Sequence, residues 1–410
     1  MRIAFIVTEF PSMSQTFVLN QITGLIDLGQ EVDIFALKAG DEDKIPDDVL
    51  SYRLLENTYY LKNQPTNKLF RIIKAFIFVS IYIFKNPLLI LRSLNFFKYG
   101  KLSLSFGLLY YIIPFLKKKP YDIVHCHFGP SGLVGVLLKS VGVIKGKLIT
   151  SFHAYDLTSY LYLKGVNTYK KLFEIGDLFQ PVSDYWKKKL IDLGCNESKI
   201  NVHRMGIDVS KFSFSTTRFK KLSKIRVLSV NRLVEKKGIE YAIKAFAKVI
   251  EKYPDTEYSI VGDGPLKDKL FSLINELDVK GKICILGWRQ QSEIQALMDK
   301  SNIFLAPSVT DKNGEKEGIP VVLMEAMAKG LAVISTYHSG IPELIVDYKT
   351  GLLVQEKDVE GLAKKIEYII LKPDKIKIIA IEARKVIEKH YNIEKLNKIL
   401  LNTYQKMVYS

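Results

Sequence analysis

Short runs of aliphatic and β-branched residues recur along the chain and alternate with stretches whose apolar residues fall at helical spacing. In the first half the runs cover residues 2–7, 31–37, 122–126 and 147–152. In the second half they cover 225–230, 258–261, 282–286, 303–306, 332–334 and 351–354. Most are apolar throughout, as parallel strands covered on both faces are. Residues 16–28, 239–251, 265–277 and 320–329 read as helices between them, and 375–410, free of Gly and Pro, reads as a closing helical stretch. Repeated βα alternation predicts a doubly wound parallel sheet, and the pattern occurs twice.

Residues 206–224 are polar and basic with few apolar positions and separate the two halves. We therefore expect a first domain over 1–207, a linker over 208–224, a second domain over 225–390 and a final helix over 391–410. Two such α/β domains facing each other form an interdomain cleft where the C-terminal strand ends converge, and ligands of open sheets bind there. A length of 410 residues, 48% apolar, suffices for two full cores. The three cysteines, Cys126, Cys195 and Cys284, are scattered, which excludes a disulfide scaffold and a cysteine zinc site. The first residues, MRIAFIV, read as a strand rather than a leader, so a cytoplasmic location is expected.

Charge changes this picture in one region. The chain carries 60 Lys and Arg against 43 Asp and Glu, a net +17. Residues 57–121 contain eleven Lys and Arg and no acid, and they are very apolar. The longest uncharged run there lies between Lys74 and Lys85, and its ten residues would rise only about 15 Å as a helix, too little for a span. Two readings remain: core helices with a basic outer face, or helices resting on an anionic membrane surface, which we expect because no acid offsets the bases. Nucleic acid is the other polyanion, but no finger, RNP-type or helix-turn-helix pattern is visible.

Three segments carry candidate chemistry. In residues 303–330, IFLAPSVTDKNGEKEGIPVVLMEAMAKG, a buried strand leads through a polar loop into a helix opened by Gly318-Ile319-Pro320. Free amides at such a helix start favour a phosphate, and Gly318 allows close approach. Glu317 sits at the mouth and Glu325 eight residues on, both acceptors suited to a hydroxyl-rich ligand. The plainer reading is a capped βα unit with two solvated glutamates. In residues 227–238, VLSVNRLVEKKG, Arg232 and Lys237 follow a strand end, where they suit a diphosphate, while Lys236 reads as a surface-loop residue. In SFHAYD, residues 151–156, His153 follows another strand end and can donate to a hydroxyl.

Weaker signals complete the set. Ser14 and Thr16, after the first strand, can cap the following helix and touch a ligand. His125 and His127 flank Cys126. Because alternate strand residues point to opposite faces, we expect core packing for one histidine and a loop contact for the other, and no metal site. Residues 261–265, VGDGP, leave the dinucleotide fingerprint incomplete, which argues against a dehydrogenase. Asp41 and Asp43 have metal–diphosphate spacing but read as a solvated loop.

Together these residues resemble glycosyltransferase family 4, with its GT-B fold of two Rossmann-like domains. Glu317 and Glu325 match the family's E-x7-E motif, Arg232 and Lys237 its diphosphate clamp, and His153 its strand-end histidine. EFPSMSQTFVLNQI, HCHFGPSG, SFHAYD and STYHSGIPEL look like the galactosyltransferases of colanic acid and amylovoran exopolysaccharide pathways, except that Ala154 stands where those usually have Gly. The resemblance implies retaining transfer of a hexose, galactose first, from a nucleotide sugar, UDP-linked first, with no cofactor and no obligatory metal. It implies that Arg232, Lys237 and the helix start at Pro320 stabilise the leaving diphosphate. Glu317 with the backbone of Gly318, Ile319, Pro320 and Val321 would orient the sugar, Glu325 would hold the ribose, Gly262 and Arg289 would lie near the base, and His153 would face sugar and acceptor. The implied acceptor is a polyprenyl-diphosphate-linked saccharide, with residues 57–121 holding the enzyme peripherally on the inner membrane face. The rivals are a nucleotide-sugar enzyme without an acceptor, such as an epimerase, and a non-catalytic sugar or membrane binder.

Overall fold

The computed structural model describes residues 1–12, 15–40, 45–62, 64–219 and 224–409. The first sheet contains β1 (Arg2–Phe10), β2 (Glu31–Ala39), β3 (Thr58–Tyr60), β4 (Ile123–His127), β5 (Lys147–Phe152) and β6 (Leu178–Pro181) in the order β3-β2-β1-β4-β5-β6. The second contains β7 (Ile225–Val230), β8 (Thr256–Val261), β9 (Ile283–Gly287), β10 (Ile303–Ala306), β11 (Ala332–Thr336) and β12 (Leu352–Val354) in the order β12-β11-β10-β7-β8-β9. Every strand pair in both sheets is parallel. These are two doubly wound Rossmann-like units. The strand order reverses between β1 and β4 and between β7 and β10, so each sheet opens a crevice at that point.

The apolar runs become strands because both faces are covered. Ile3, Ala4, Phe5 and Ile6 are fully buried in succession, contributing to two cores on opposite faces of the first sheet. Each buried large aliphatic side chain contributes about 1.5–3 kcal/mol.

The closing stretch is two helices, Pro373–His390 and Ile393–Tyr409, rather than one. At the break, Ile207 donates to the Tyr391 carbonyl and accepts from the Ile393 amide, both at 2.9 Å, and Asn392 Oδ1 caps the new helix by accepting from Glu394 N–H at 2.9 Å. The last helix packs on the first, Thr16–Asp27. Asn397 Nδ2 donates to the Asn20 carbonyl at 3.0 Å, and Tyr404 lies in the core with Ile3 and Phe5. Residues 208–219 are strapped to the second unit. Val209 and Phe212 are buried there, and the Arg218 guanidinium donates to the carbonyls of Met298, Ser301 and Lys329.

The two units meet through a charged contact. The Glu343 carboxylate accepts from the Asp184 and Tyr185 amides, both at 2.9 Å, at the start of the helix Asp184–Asp192, where the dipole favours an anion. Arg204 reaches Asp184 at 2.8 Å and Glu343 at 3.2 Å.

Residues 57–121 are not uniform. β3 and the helix Gly107–Leu116 belong to the core side, with Leu108, Leu109 and Ile112 fully buried. The helices Lys68–Tyr82, Pro87–Ser93, Phe96–Tyr99 and Lys101–Leu104 instead expose much of their apolar surface. In the longest of them only Ala75 is buried. Phe84 is 90% and Phe97 89% exposed, which is unusual for side chains of this size. Among the described residues no helix is long and apolar enough to cross a membrane.

Candidate active site

The loop after β7 is clamped between its neighbours. Asn231 N–H donates to the Val261 carbonyl at 3.0 Å, and a Cβ on Gly262 would lie 1.8 Å from the Asn231 carbonyl, so only glycine fits there. At the far end of the loop Gly238 has φ +65°, and a Cβ there would lie 2.0 Å from the Pro307 carbonyl. The loops after β7 and β10 therefore touch, and Lys236 and Lys237 come against the acidic segment ahead of the helix Val321–Ala328.

Lys237 Nζ lies 2.8 Å from Glu317 Oε2. Lys236 Nζ lies 2.5 Å from Glu315 Oε1 and 3.1 Å from Glu317 Oε1. Lys236 is thus part of the charge cluster, not the surface-loop residue expected from sequence; it turns inward because Glu315 and Glu317 neutralise it. Burial opposes the charge on Glu317, but Lys237 and Lys236 more than offset it and hold the carboxyl down to about 2. Glu317 Oε1 is buried, with the Lys236 ammonium as its charge partner.

Pro320 is the cap of the following helix, one position earlier than a first-turn proline. No side chain caps this end, and no acid lies in its first turn. Its leading amides are therefore open to an anion. Ile319 is buried in the core below, leaving its backbone for any contact, and Val321 is partly buried. Glu325, one turn deeper, is partly buried, and Gln291 Nε2 approaches its Oε1 at 3.4 Å. Burial pushes its carboxyl up to about 7, with Gln291 working the other way. Neither glutamate is a solvated loop residue.

His153 stands on the opposite wall, past the end of β5. A Cβ on Gly318 would lie 3.3 Å from the His153 carbonyl, so the two walls are in contact here. The imidazole lies between Phe17 and Phe128, with ring centroids at 4.7 and 4.5 Å, and its Nε2 lies 3.0 Å from His127 Nδ1. Burial, reinforced by His125 and His203, holds His153 down to about 3, so the ring is neutral at ordinary pH. Its backbone N–H donates to Asp156 Oδ1 and the Gly129 N–H to Asp156 Oδ2, both at 2.9 Å. Burial raises Asp156 to about 6 against those amides. Ala154 is held at φ +98°, a left-handed conformation that costs an L-residue energy.

His125 and His127 share one face, contrary to the expectation above, because residues two apart in a strand point the same way. Both are fully buried, their rings stacked at 4.6 Å. His125 bridges Ser151 Oγ at 2.7 Å and Tyr404 OH at 2.5 Å, so the last helix is tied directly beneath the site.

Arg232 is exposed and forms no side-chain ion pair among the described residues. Arg289 follows β9, partly exposed, with Glu293 at 3.8 Å. Thr16 is the exposed first residue of its helix. Gln15 occupies the cap without a side-chain hydrogen bond, so Thr16 does not cap it. Ser14, Asp41 and Asp43 lie outside the described residues. Sequence reasoning gave no role to His338 or Ser339, although they sit at a strand end like His153. His338 Nε2 lies 3.0 Å from Glu317 N, and Ser339 Oγ donates to the Glu317 carbonyl at 2.6 Å.

Comparison with known proteins bears on this arrangement. Residues 14–211 match the model of Glycosyltransferase Family 4, and residues 213–386 that of Glycosyl transferases group 1. The putative colanic acid biosynthesis glycosyltransferase WcaL of Escherichia coli (strain K12) is 37% identical over 412 residues, covering 99% of this chain and 100% of the relative. This chain belongs to glycosyltransferase family 4. The amylovoran biosynthesis glycosyltransferase AmsK of Erwinia amylovora is 36% identical over 396 residues, covering 96% of each chain. The glycosyltransferase also shares its fold with Anabaena Alr3699/HepE, solved in complex with UDP and glucose. The TM-score is 0.75 at 18% identity, covering 99% of this chain and 100% of that one. Its two facing Rossmann-like units are therefore the GT-B architecture.

Proposed function

We propose that this glycosyltransferase moves a hexose, galactose first, from a UDP-linked donor to a polyprenyl-diphosphate-linked saccharide, with retention of configuration, during exopolysaccharide assembly on the inner membrane face. The observation that carries this proposal is the Lys237–Glu317 contact at 2.8 Å beside an uncapped helix start, directly opposite His153. Support for the chemistry comes from relatives. Two are named for colanic acid and amylovoran biosynthesis. A third is the Escherichia coli UDP-Gal:alpha-D-GlcNAc-diphosphoundecaprenol alpha-1,3-galactosyltransferase, 26% identical over 309 residues.

As the bond between sugar and diphosphate breaks, negative charge grows on the leaving oxygen. Arg232, Lys237 and the amides at the start of Val321–Ala328 meet that charge, each such preorganised contact being worth about 3–4 kcal/mol. Organic cations suffice for this, and the transfer needs no divalent ion. The Glu317 carboxylate, held by the two lysines, accepts from a sugar hydroxyl, and the Gly318 backbone sets the distance. Glu325 accepts from the ribose hydroxyls, while Gly262 and Arg289 border the base. The free ring nitrogen of neutral His153 bonds to the sugar on the acceptor side. The acceptor hydroxyl adds to the same face of the sugar, and its proton passes to the departing phosphate oxygen.

A lipid-linked acceptor also accounts for the exposed Phe84, Leu88, Leu91 and Phe97 among Lys85, Arg92 and Lys98, an apolar and basic face that suits anionic headgroups. The test is turnover of UDP-galactose, UDP-glucose and GDP-mannose with a lipid-linked saccharide, the product's anomeric configuration being read by NMR. UDP-galactose should lead and give the α-product. Preference for GDP-mannose, or an inverted product, would overturn those parts. Full activity in Glu317→Ala would overturn the site.

A further inference from the structure

The turn after β11 holds Glu317 from behind. His338 is fully buried, its Nε2 is 3.0 Å from Glu317 N, and its Nδ1 is 2.6 Å from Glu356 Oε1. A backbone N–H can only donate, so His338 Nε2 accepts and carries no proton. Burial holds the ring below the usual histidine range, although Glu356 and Glu317 oppose this, so His338 is neutral. Its one ring proton is therefore on Nδ1 and is donated to Glu356. Glu356 is itself fixed by Thr310, whose N–H donates to Oε2 at 2.7 Å and whose Oγ1 lies 3.2 Å from Oε1. Each partner dictates the next, and together they leave the imidazole one tautomer and one orientation.

The neighbouring residue completes the grip. Ser339 is held at φ +43°, sparsely populated for a residue other than glycine, and its hydroxyl donates to the Glu317 carbonyl at 2.6 Å, with the Gly318 carbonyl at 3.1 Å. The N–H of Glu317 is thus held by His338, its C=O by Ser339 and its carboxylate by the lysines. A ligand in the cleft would meet the last of these but neither of the first two.

We propose that His338, held as its Nδ1–H tautomer by Glu356, is a positioning residue that fixes the Glu317–Gly318 backbone against the donor sugar, with Ser339 as its second anchor. This rests on the proposal above that Glu317 and Gly318 meet the donor. Displacing such a backbone by about an ångström costs about 10²-fold in rate.

Asparagine and glutamine separate the two ring nitrogens. His338→Gln places an amide oxygen near the position of Nε2, where it still accepts from Glu317 N–H. His338→Asn reaches only the position of Nδ1 and loses that acceptor. Measured as kcat and donor KM with UDP-galactose, beside the thermal midpoint of each variant, His338→Asn and His338→Phe should lose about 10²-fold in kcat. His338→Gln should recover most of the loss. Ser339→Ala, which keeps the backbone and removes one hydroxyl, should lower kcat in the same direction and serves if the histidine variants do not fold. Equal kcat in the Asn and Gln variants, or an unchanged kcat in Ser339→Ala, overturns the positioning role. Loss in Glu317→Ala with none in His338→Asn overturns this role alone, whereas no loss in Glu317→Ala overturns the site and this role with it.

Discussion

Lys237 and Glu317, 80 positions apart in the chain, meet at 2.8 Å between the loops that follow β7 and β10. The ammonium proposed to face a donor diphosphate is therefore already shared with a carboxylate, and a ligand bound as proposed would compete with Glu317 for it. Removing the carboxylate charge while keeping its shape should separate binding from turnover. We expect Glu317→Gln to bind UDP about tenfold more tightly, about 1.4 kcal/mol, while sugar transfer falls. Calorimetric titration with UDP checks the first half and a transfer assay the second.

Glu325 supplies a pH signature. Its carboxyl, pushed up to about 7 by burial, is half protonated near neutrality, and in the proposed role it would accept from ribose hydroxyls best when ionised. Donor affinity should therefore rise between pH 6 and pH 8, and Glu325→Gln should flatten that rise. Stability moves the other way. The folded state favours the protonated acid, so this group costs stability progressively as pH climbs from the ordinary glutamate range through about 7. Glu325→Gln should raise the melting temperature at pH 8 and leave it nearly unchanged at pH 4.5, as differential scanning calorimetry would record.

How much of this was readable in advance varies with the residue. The fully apolar strands were legible because burial on both faces leaves no alternation to disguise them. β6 was not, because Gln180 and Pro181 fill half of its four positions. The break at Tyr391 and Asn392 lacks the glycine or proline that normally marks one, though Asn392 followed by Ile393 and Glu394 has the character of a helix start. Lys237 meets Glu317, and Gly318 meets the His153 backbone, where the strand-end loops and the helix start come together, whereas Arg232 stays exposed and Glu325 lies inside the helix Val321–Ala328. Lys236 was misread because its partners, Glu315 and Glu317, come near it only when the loops after β7 and β10 cross. His338 was missed for the same reason: its role depends on Glu356, another strand away.

Ala154 offers a test of backbone strain beside the site. At φ +98° an alanine Cβ crowds the neighbouring carbonyl, a cost that glycine avoids. Ala154→Gly should stabilise the protein by about 1 kcal/mol, the relief being reduced by glycine's greater freedom in the unfolded chain. Denaturant unfolding would measure it, with kcat unchanged or raised.

The exposed face of the basic helices should be read by lipid. Phe84 and Phe97 each stand almost fully free, so each can bury most of a ring in a headgroup layer. Replacing either with Ser should weaken liposome binding about tenfold, in line with loss of a partly buried aromatic side chain. Co-sedimentation with anionic vesicles at low salt should recover the wild type and recover less of each variant. Equal recovery on neutral and anionic vesicles would remove the electrostatic part of the proposal.

On the proposed reading, Arg232, Lys237 and exposed amides hold a diphosphate. Calorimetric titration of UDP and of uridine, with the wild type and with Arg232→Ala/Lys237→Ala, tests it most directly. Two charged hydrogen bonds of about 1.5–3 kcal/mol each should make the wild type prefer UDP by about 10²-fold or more, and the double variant should lose most of that preference. A double variant that kept the full preference for UDP would contradict the claim.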